Sequence, residues 1–221
     1  MDVLLGNGIY SIAQAARLTG LRPRRVRDWF VGRPTSSRPV KQVFESDYPA
    51  MGGEHAISFL DLVELFIGGQ LREMGVSLPH IRKAYTNLEN RYGSHPFCSR
   101  ELLVGGKEIF YRGLDDVEAR RIMKAVTDQP YFESIILPFL KNIDYDEATK
   151  LAVRWRIAQD VVVDPRIRFG KPIVEEVGIS TSVLWSSFYA NGENEEMVAE
   201  WFGIERRHVR AAVSFEDGLA A

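Results

Sequence analysis

The chain has 221 residues, 45% of them hydrophobic and 26% charged, with a formal net charge of −2 and a single cysteine, Cys98. That length suits one large domain or two small ones, and that composition can bury a core without cross-links. A single cysteine excludes an intramolecular disulfide, no apolar run reaches the length of a membrane span, and the start "MDVLLG" lacks the basic and apolar regions of a signal peptide, so the expected setting is cytoplasmic. The near-neutral total hides an asymmetry: residues 1–41 carry eight basic and two acidic side chains, residues 192–221 three basic and seven acidic. A basic head and an acidic tail imply different partners for the two ends of the sequence.

Ser11 precedes an apolar-periodic run and Gln14 stands three residues later, the spacing of a capping box, so a short helix is expected over about 12–18. Gly20 supplies a turn, and Pro23 suits the first turn of a second helix to Phe30. On that helix Val26, Trp29 and Phe30 share one face; Arg24, Arg27 and Asp28 point the opposite way, and Arg25 flanks them. Helix, glycine turn and helix in about twenty residues is the spacing of a helix-turn-helix, whose second helix enters the DNA major groove. Arginine there can pair with a guanine edge or neutralise phosphate.

"RPTSSRP" (33–39) is loop by composition. Val40–Phe44 and His55–Phe59 are strand candidates joined by turn residues, which predicts a hairpin. Ser58 with Asp61 caps a helix ending at Gly75, and Ser77 starts another, with Ile81, Ala84, Tyr85 and Leu88 inward, ending at Gly93. Glu101–Arg112 reads as a second hairpin about Gly105-Gly106. Helices are expected over about 115–127 and 130–141, then strands at 152–157 and 161–163, then an irregular stretch at 164–180. Three helices, at about 181–190, 195–202 and 205–216, close the chain and form a second helix-turn-helix-like unit. The fold class expected is mainly α with small β hairpins.

Enzyme chemistry finds no motif. Gly105-Gly106-Lys107 lacks the spacing of a phosphate loop, no serine or cysteine has a nucleophile motif around it, and "YDEATK" (145–150) reads as a solvated face. His55, His80, His95 and His208 are scattered, and His95 with Cys98 makes two ligands at most, so no catalytic residue, metal or cofactor is expected.

"YSIAQAARLTGLRPRRVRDWF" (10–30) and "ISFLDLVELFIGGQLREMGVSLPHIRKA" (57–84) resemble the DNA-binding module of the MerR family of transcription regulators over about residues 9–90. The resemblance implies a winged helix that binds double-stranded operator DNA as a homodimer, with Arg22, Arg24, Arg25 and Arg27 on the recognition helix, Arg33 after it, and Lys41 on a wing at 40–59. Two positions depart from that pattern. The arginine-tyrosine pair usual late in the recognition helix reads Asp28-Trp29, and the long dimerisation helix is cut short at Gly93.

Residues 164–216, from "DPRIRFGKPIVEEVGIS" to "ERRHVRAAVSFE", resemble a small domain family found in bacterial antitoxins. Where many members read Gly-Thr-Arg, this chain reads Glu176-Val177-Gly178. That family implies a toxin partner of the PIN-like ribonuclease class. "HPFCSRELLVGGKEIFY" (95–111) resembles the connector in proteins that fuse both modules, and the whole is similar to a VapB-type antitoxin with a MerR-like head.

The domains expected are a DNA-binding head over 1–92, a connector over 93–160 and a helical antitoxin-type domain over 161–221. The function expected is an antitoxin that represses its own operon and neutralises the toxin. Trp201, Phe202, Arg206, Arg207 and Arg210 are the candidate partner contacts, and the arginines could supply charge to an acidic toxin site. The alternative is an effector-sensing regulator without a toxin, its pocket lined by Phe110, Tyr111, Tyr131 and Phe132.

Overall fold

The computed structural model describes residues 7–33, 39–50, 54–105, 108–112, 122–127, 130–131 and 138–220. Its fold is mixed α/β, helices with small sheets, in two compact units: Tyr10–Ala152, and Val153–Ala221 together with the described residues 7–9. No helix among the described residues is long and apolar enough to cross a membrane.

The first unit opens with β1 (Tyr10–Ser11) and α1 (Ile12–Thr19). The capping box forms as the sequence predicts: Ser11 Oγ accepts from the Gln14 N–H, and Gln14 Oε1 accepts from the Ser11 N–H. Gly20 stops α1 in the left-handed region at φ 68°, which glycine adopts without steric cost. There the Gly20 N–H donates to the Arg17 carbonyl and the Leu21 N–H to the Ala16 carbonyl, satisfying two end-of-helix acceptors. After the two-residue link Leu21-Arg22, α2 (Pro23–Val31) begins with proline in its first turn, where a missing N–H costs nothing.

The helix that receives this pair is α3 (Phe59–Glu73), buried on nearly all sides. Ser58 and Asp61 close a second reciprocal capping box at its start. Two adjacent glycines in its middle have a packing reason. A methyl at Gly68 would stand 3.0 Å from the rings of both Trp29 and Phe44, and one at Gly69 would stand 3.3 Å from Leu21. Bare backbone at these positions lets the α1–α2 turn and the inner face of α2 lie directly on α3. Phe44 then takes ring contacts from Trp29, Phe30, Tyr85 and Phe97, at centroid separations of 5.1–6.0 Å. The Val43 and Phe44 N–H groups both donate to the Trp29 carbonyl, tying that ring to the last turn of α2.

The hairpin expected between 40–44 and 55–59 does not form among the described residues. β2 (Ala56–Ile57) pairs instead with β1, Tyr10 opposite Ile57, while Val40 bridges back to Arg33. The reason lies in Val43 and Phe44. Both are buried, so two consecutive side chains turn inward where a two-faced strand requires alternation.

α4 (Leu78–Tyr92) starts at the Ser77 cap and buries the predicted Ile81, Ala84, Tyr85 and Leu88. The second hairpin is as expected: β3 (Leu102–Gly105) and β4 (Glu108–Arg112) pair antiparallel, Leu103 opposite Phe110. The helices expected beyond it are corrected where residues are described. Ile122–Lys124 forms β5 on the edge of β4, and Pro130–Tyr131 forms β6 beside it. Ladder pairing with β4 overrides local helical propensity there. Residues 115–121 and 132–137 of those expected helices lie outside the described residues. A 3₁₀ turn at Pro138–Asn142, β7 (Ile143–Tyr145) and a turn built on Asp146, whose Oδ1 accepts from the Ala148 and Thr149 N–H groups, complete the unit.

In the second unit β8 (Ala152–Ala158), β9 (Val161–Val163) and β10 (Ile173–Val174) run antiparallel in that order, with a register shift between Arg156 and Ala158. Three helices follow at nearly the predicted bounds: α5 (Thr181–Ala190), α6 (Glu195–Phe202) and α7 (Arg206–Ala220). Val174, Leu184, Val198, Ala199, Val209 and Ala212 form their core. The α1–α2 turn recurs here: Gly203 is left-handed at φ 64°, its N–H donates to Glu200, and the Ile204 N–H donates to the Ala199 carbonyl.

The Gly68 contact yields a prediction. Ala at 68 gains helix propensity of about 1 kcal/mol but overpacks two rings that sit inside a five-ring cluster. Gly68→Ala is expected to lower unfolding free energy by about 1–3 kcal/mol in denaturant titrations. Unchanged or raised stability would show that Trp29 and Phe44 yield freely.

Candidate nucleic-acid interface

The burial pattern of α2 divides it as the sequence predicts. Val26, Trp29 and Phe30 are buried, and Arg24, Arg25 and Arg27 are exposed, as is Arg22 at the N-cap. None of these four arginines is ion-paired with a described residue. Asp28, the residue that departs from the MerR-like pattern, is held by the Arg33 guanidinium, which donates to its Oδ2. The one acid of this face is therefore met by a cation that the sequence places on the far side of Gly32.

Lys41 is exposed, and its segment is anchored from α4. Arg82 donates from Nε to the Gln42 carbonyl at 3.2 Å and from Nη2 to the Lys41 carbonyl at 3.0 Å. The Arg33–Val40 bridge, with N–H···O distances of 2.8 and 2.9 Å, closes the loop that precedes it. The structure thus fixes the backbone on both sides of 34–38 and leaves Arg22, Arg24, Arg25, Arg27 and Lys41 facing solvent. Arg38, counted in the basic head, lies outside the described residues.

The arginines of α7 have a different environment. Arg207 bonds Glu176 at 2.8 Å and Glu205 at 3.0 Å, Arg210 bonds Glu195 at 2.8 Å, and Arg206 stands 3.9 Å from Glu196. His208 completes the group at 3.2 Å from Glu176. Surface pairs of this kind contribute little stability, but they cancel the charge that would attract phosphate or a carboxylate. Of the other partner candidates, Phe202 packs partly against the core, while Trp201 is 62% exposed with Met197, one turn earlier on α6, also exposed.

The aromatic set expected to line an effector pocket is described only in part. Phe110 and Tyr111 are buried, Phe132 and the Tyr131 side chain lie outside the description, and the nearby cavity of about 20 Å³, lined by Leu88, Tyr92, Leu102 and Tyr111, has room for a water molecule.

Sequence reasoning missed one constellation. Glu64, His95 and Cys98, all buried, offer ligand atoms within 4.8 Å of one another, and so do Asp47, Asp61 and His95. Burial pushes the Asp61 carboxyl up to about 7. Burial alone would lower the His95 imidazole, but hydrogen bonds to Asp47 and Glu64 and their charges raise it to about 10. Asp47, Asp61 and Glu64 stand 31 to 48 positions before His95, so nothing in the local spacing signalled them.

Comparison with known proteins gives two findings. The family model described as "Protein of unknown function (DUF433)" matches residues 161–215. The X-ray crystal structure of Rv2018 from Mycobacterium tuberculosis is similar to this chain at a TM-score of 0.66, with 23% identity, over 92% of this chain and 96% of that one, a likeness of fold. No curated protein matches.

The matched segment begins its irregular part at Asp164, which predicts an acid-sensitive turn. Burial alone would raise this carboxyl, but the Arg166 side chain, its backbone N–H and its charge outweigh that and hold it below the usual carboxylate range. A depressed native value means stabilisation that is present above about pH 3.8 and is lost as pH falls through the native value. Asp164→Asn is expected to cost about 1–2 kcal/mol at neutral pH and to flatten the acid limb of the stability profile. A variant whose acid limb matches the wild type would remove the carboxylate from this role.

Proposed function

We propose that the chain is a DNA-binding antitoxin of a toxin–antitoxin system that represses its own operon. In this reading α1, the Gly20 turn and α2 are a helix-turn-helix of the MerR-like kind, and the described residues around Lys41 belong to its wing. The observation that carries the reading is a contrast between two helices that follow the same glycine turn. The α2 arginines are exposed and have no acid partner among the described residues, whereas Arg207 and Arg210 of α7 are each bonded to glutamates. Uncompensated arginine on a helix face attracts phosphate and can read guanine; compensated arginine does neither well.

The α5–α7 domain is then the partner-binding part. Its support is the exposed Trp201 with Met197 on one face of α6, the kind of aromatic and methionine pair enriched at protein interfaces. A PIN-like ribonuclease as the partner rests on the resemblance of residues 164–216 to antitoxin domains. A homodimer would present two copies of α2 to half-sites about 34 Å apart.

Two measurements test the two halves separately. Fluorescence anisotropy of the full chain on the DNA upstream of its own coding sequence is expected to show binding that Arg24→Glu with Arg27→Glu weakens by about 100-fold or more at 0.1 M salt. Equal binding by that variant would remove α2 from the interface. Co-expression with the product of the adjacent gene is expected to give a stable complex and restored growth, both lost in Trp201→Ala while DNA binding persists. If no complex forms with the wild type, the antitoxin reading fails.

A further inference from the structure

The buried group around His95 is built like a metal centre. His95 follows Gly93-Ser94 at the end of α4 and is itself left-handed, at φ 57°, a conformation that non-glycine residues seldom adopt without a functional or structural demand. This backbone turns the ring inward between two elements. Nε2 lies 2.9 Å from Asp47 Oδ1 and Nδ1 lies 3.4 Å from Glu64 Oε2. The two distances differ in meaning. The first is a good hydrogen bond. The second is long for one, but it matches the separation of about 3.4 Å between nitrogen and oxygen ligands on a tetrahedral zinc ion with bonds near 2.0–2.2 Å.

The third donor comes from the next turn. The 3₁₀ segment Pro96–Cys98 returns Cys98 to the same buried space, where its Sγ donates to the Leu60 carbonyl at 3.2 Å. Glu64 is fixed by the Tyr85 hydroxyl, which donates to Oε2 at 3.1 Å, and by the Phe97 N–H, which donates to Oε1. A histidine whose distal nitrogen donates to a carboxylate, with its proximal nitrogen toward another ligand, is the orientation metal-bound histidines adopt. Asp61 supplies an independent sign. It is wholly buried in the adjoining group with Asp47 and His95, and its Oδ1 has no hydrogen-bond partner among the described residues. A buried carboxylate oxygen without a donor is costly unless a cation or water answers it.

We propose that Glu64, His95 through Nδ1 and Cys98 form a zinc site inside the Tyr10–Ala152 unit, with Asp47 orienting the imidazole and a water completing four-coordination. The mixed nitrogen, oxygen and thiolate set favours Zn²⁺ over the hard cations Mg²⁺ and Ca²⁺. Binding displaces the Cys98 thiol proton and the proton that His95 Nδ1 shares with Glu64, so uptake releases two protons and weakens at low pH. Because the ligands come from α3, the α4 exit and the 3₁₀ turn, the ion would pin together the elements that pack on Phe44.

The full chain, stripped with a chelator and titrated with Zn²⁺ in a calorimeter, is expected to take up one ion per chain and to melt at a higher temperature. With Co²⁺ as the probe, visible bands of a tetrahedral ion and an ultraviolet thiolate band are expected. Cys98→Ser should abolish the thiolate band. Asp47→Asn, a change at a partly exposed residue that leaves the three ligands in place, should weaken Zn²⁺ binding by about 10–100-fold with an unchanged circular dichroism spectrum. A folded wild-type chain that takes up no Zn²⁺ at micromolar concentration overturns the site. Uptake with a Co²⁺ spectrum that Cys98→Ser leaves unchanged, or with a Zn²⁺ affinity that Asp47→Asn leaves unchanged, overturns it as well.

Discussion

Phe44 is the contact on which the head depends. Its ring touches Trp29 and Phe30 from α2, Tyr85 from α4 and Phe97 from the 3₁₀ turn, and it lies against the bare backbone of Gly68 in α3. Edge-on aromatic contacts have directional preferences as well as buried area. They therefore fix the rotation of α2 about its own axis. That rotation decides which side chains face water, and at a period of 3.6 residues per turn it turns the arginines outward once Trp29 and Phe30 are turned in. The electrostatic surface proposed to meet DNA is in this sense a consequence of an apolar contact on the opposite side of the helix.

The same turn appears twice with opposite surroundings. Gly20 and Gly203 adopt nearly equal positive φ, and each is followed by an apolar residue whose N–H caps the preceding helix, Leu21 in one case and Ile204 in the other. Backbone geometry alone would assign both helix pairs one role. Charge distinguishes them. Glu176, Glu195 and Glu205 occupy the guanidinium groups of the last helix, and that helix follows a segment whose exposed large apolar side chains are Trp201 and Met197. In the head, Asp28 is the acid on the outer face and Arg33 answers it. The acid that departs from the MerR-like pattern is thus paired with a cation five residues later.

Features of the fold set by short-range chemistry were legible in the sequence. Ser11 with Gln14, Ser58 with Asp61, Ser77, Gly20 and Gly203 mark helix ends through bonds that span three to five residues, and α1 to α7 lie close to the expected bounds. What failed required partners far away. Val43 and Phe44 looked like a strand, but they are both drawn inward by α2 and α3. Ile122–Lys124 looked helical, but β4 offered it a ladder. The arginine face was readable from periodicity, whereas the pairing of Arg33 with Asp28 across Gly32 was not. The His95 group was the least legible: its carboxylates come from the segment before β2 and from α3, and only the fold brings them to one ring.

In the proposed function, phosphate contacts by the α2 arginines drive DNA binding. The most direct measurement is the slope of log affinity against log salt for the full chain on its upstream DNA, compared with single arginine-to-alanine variants at 24 and 27. A steep negative slope is expected in the wild type, reduced in magnitude by about 0.9 for each arginine removed. A shallow wild-type slope, or variant slopes equal to the wild type, would contradict it.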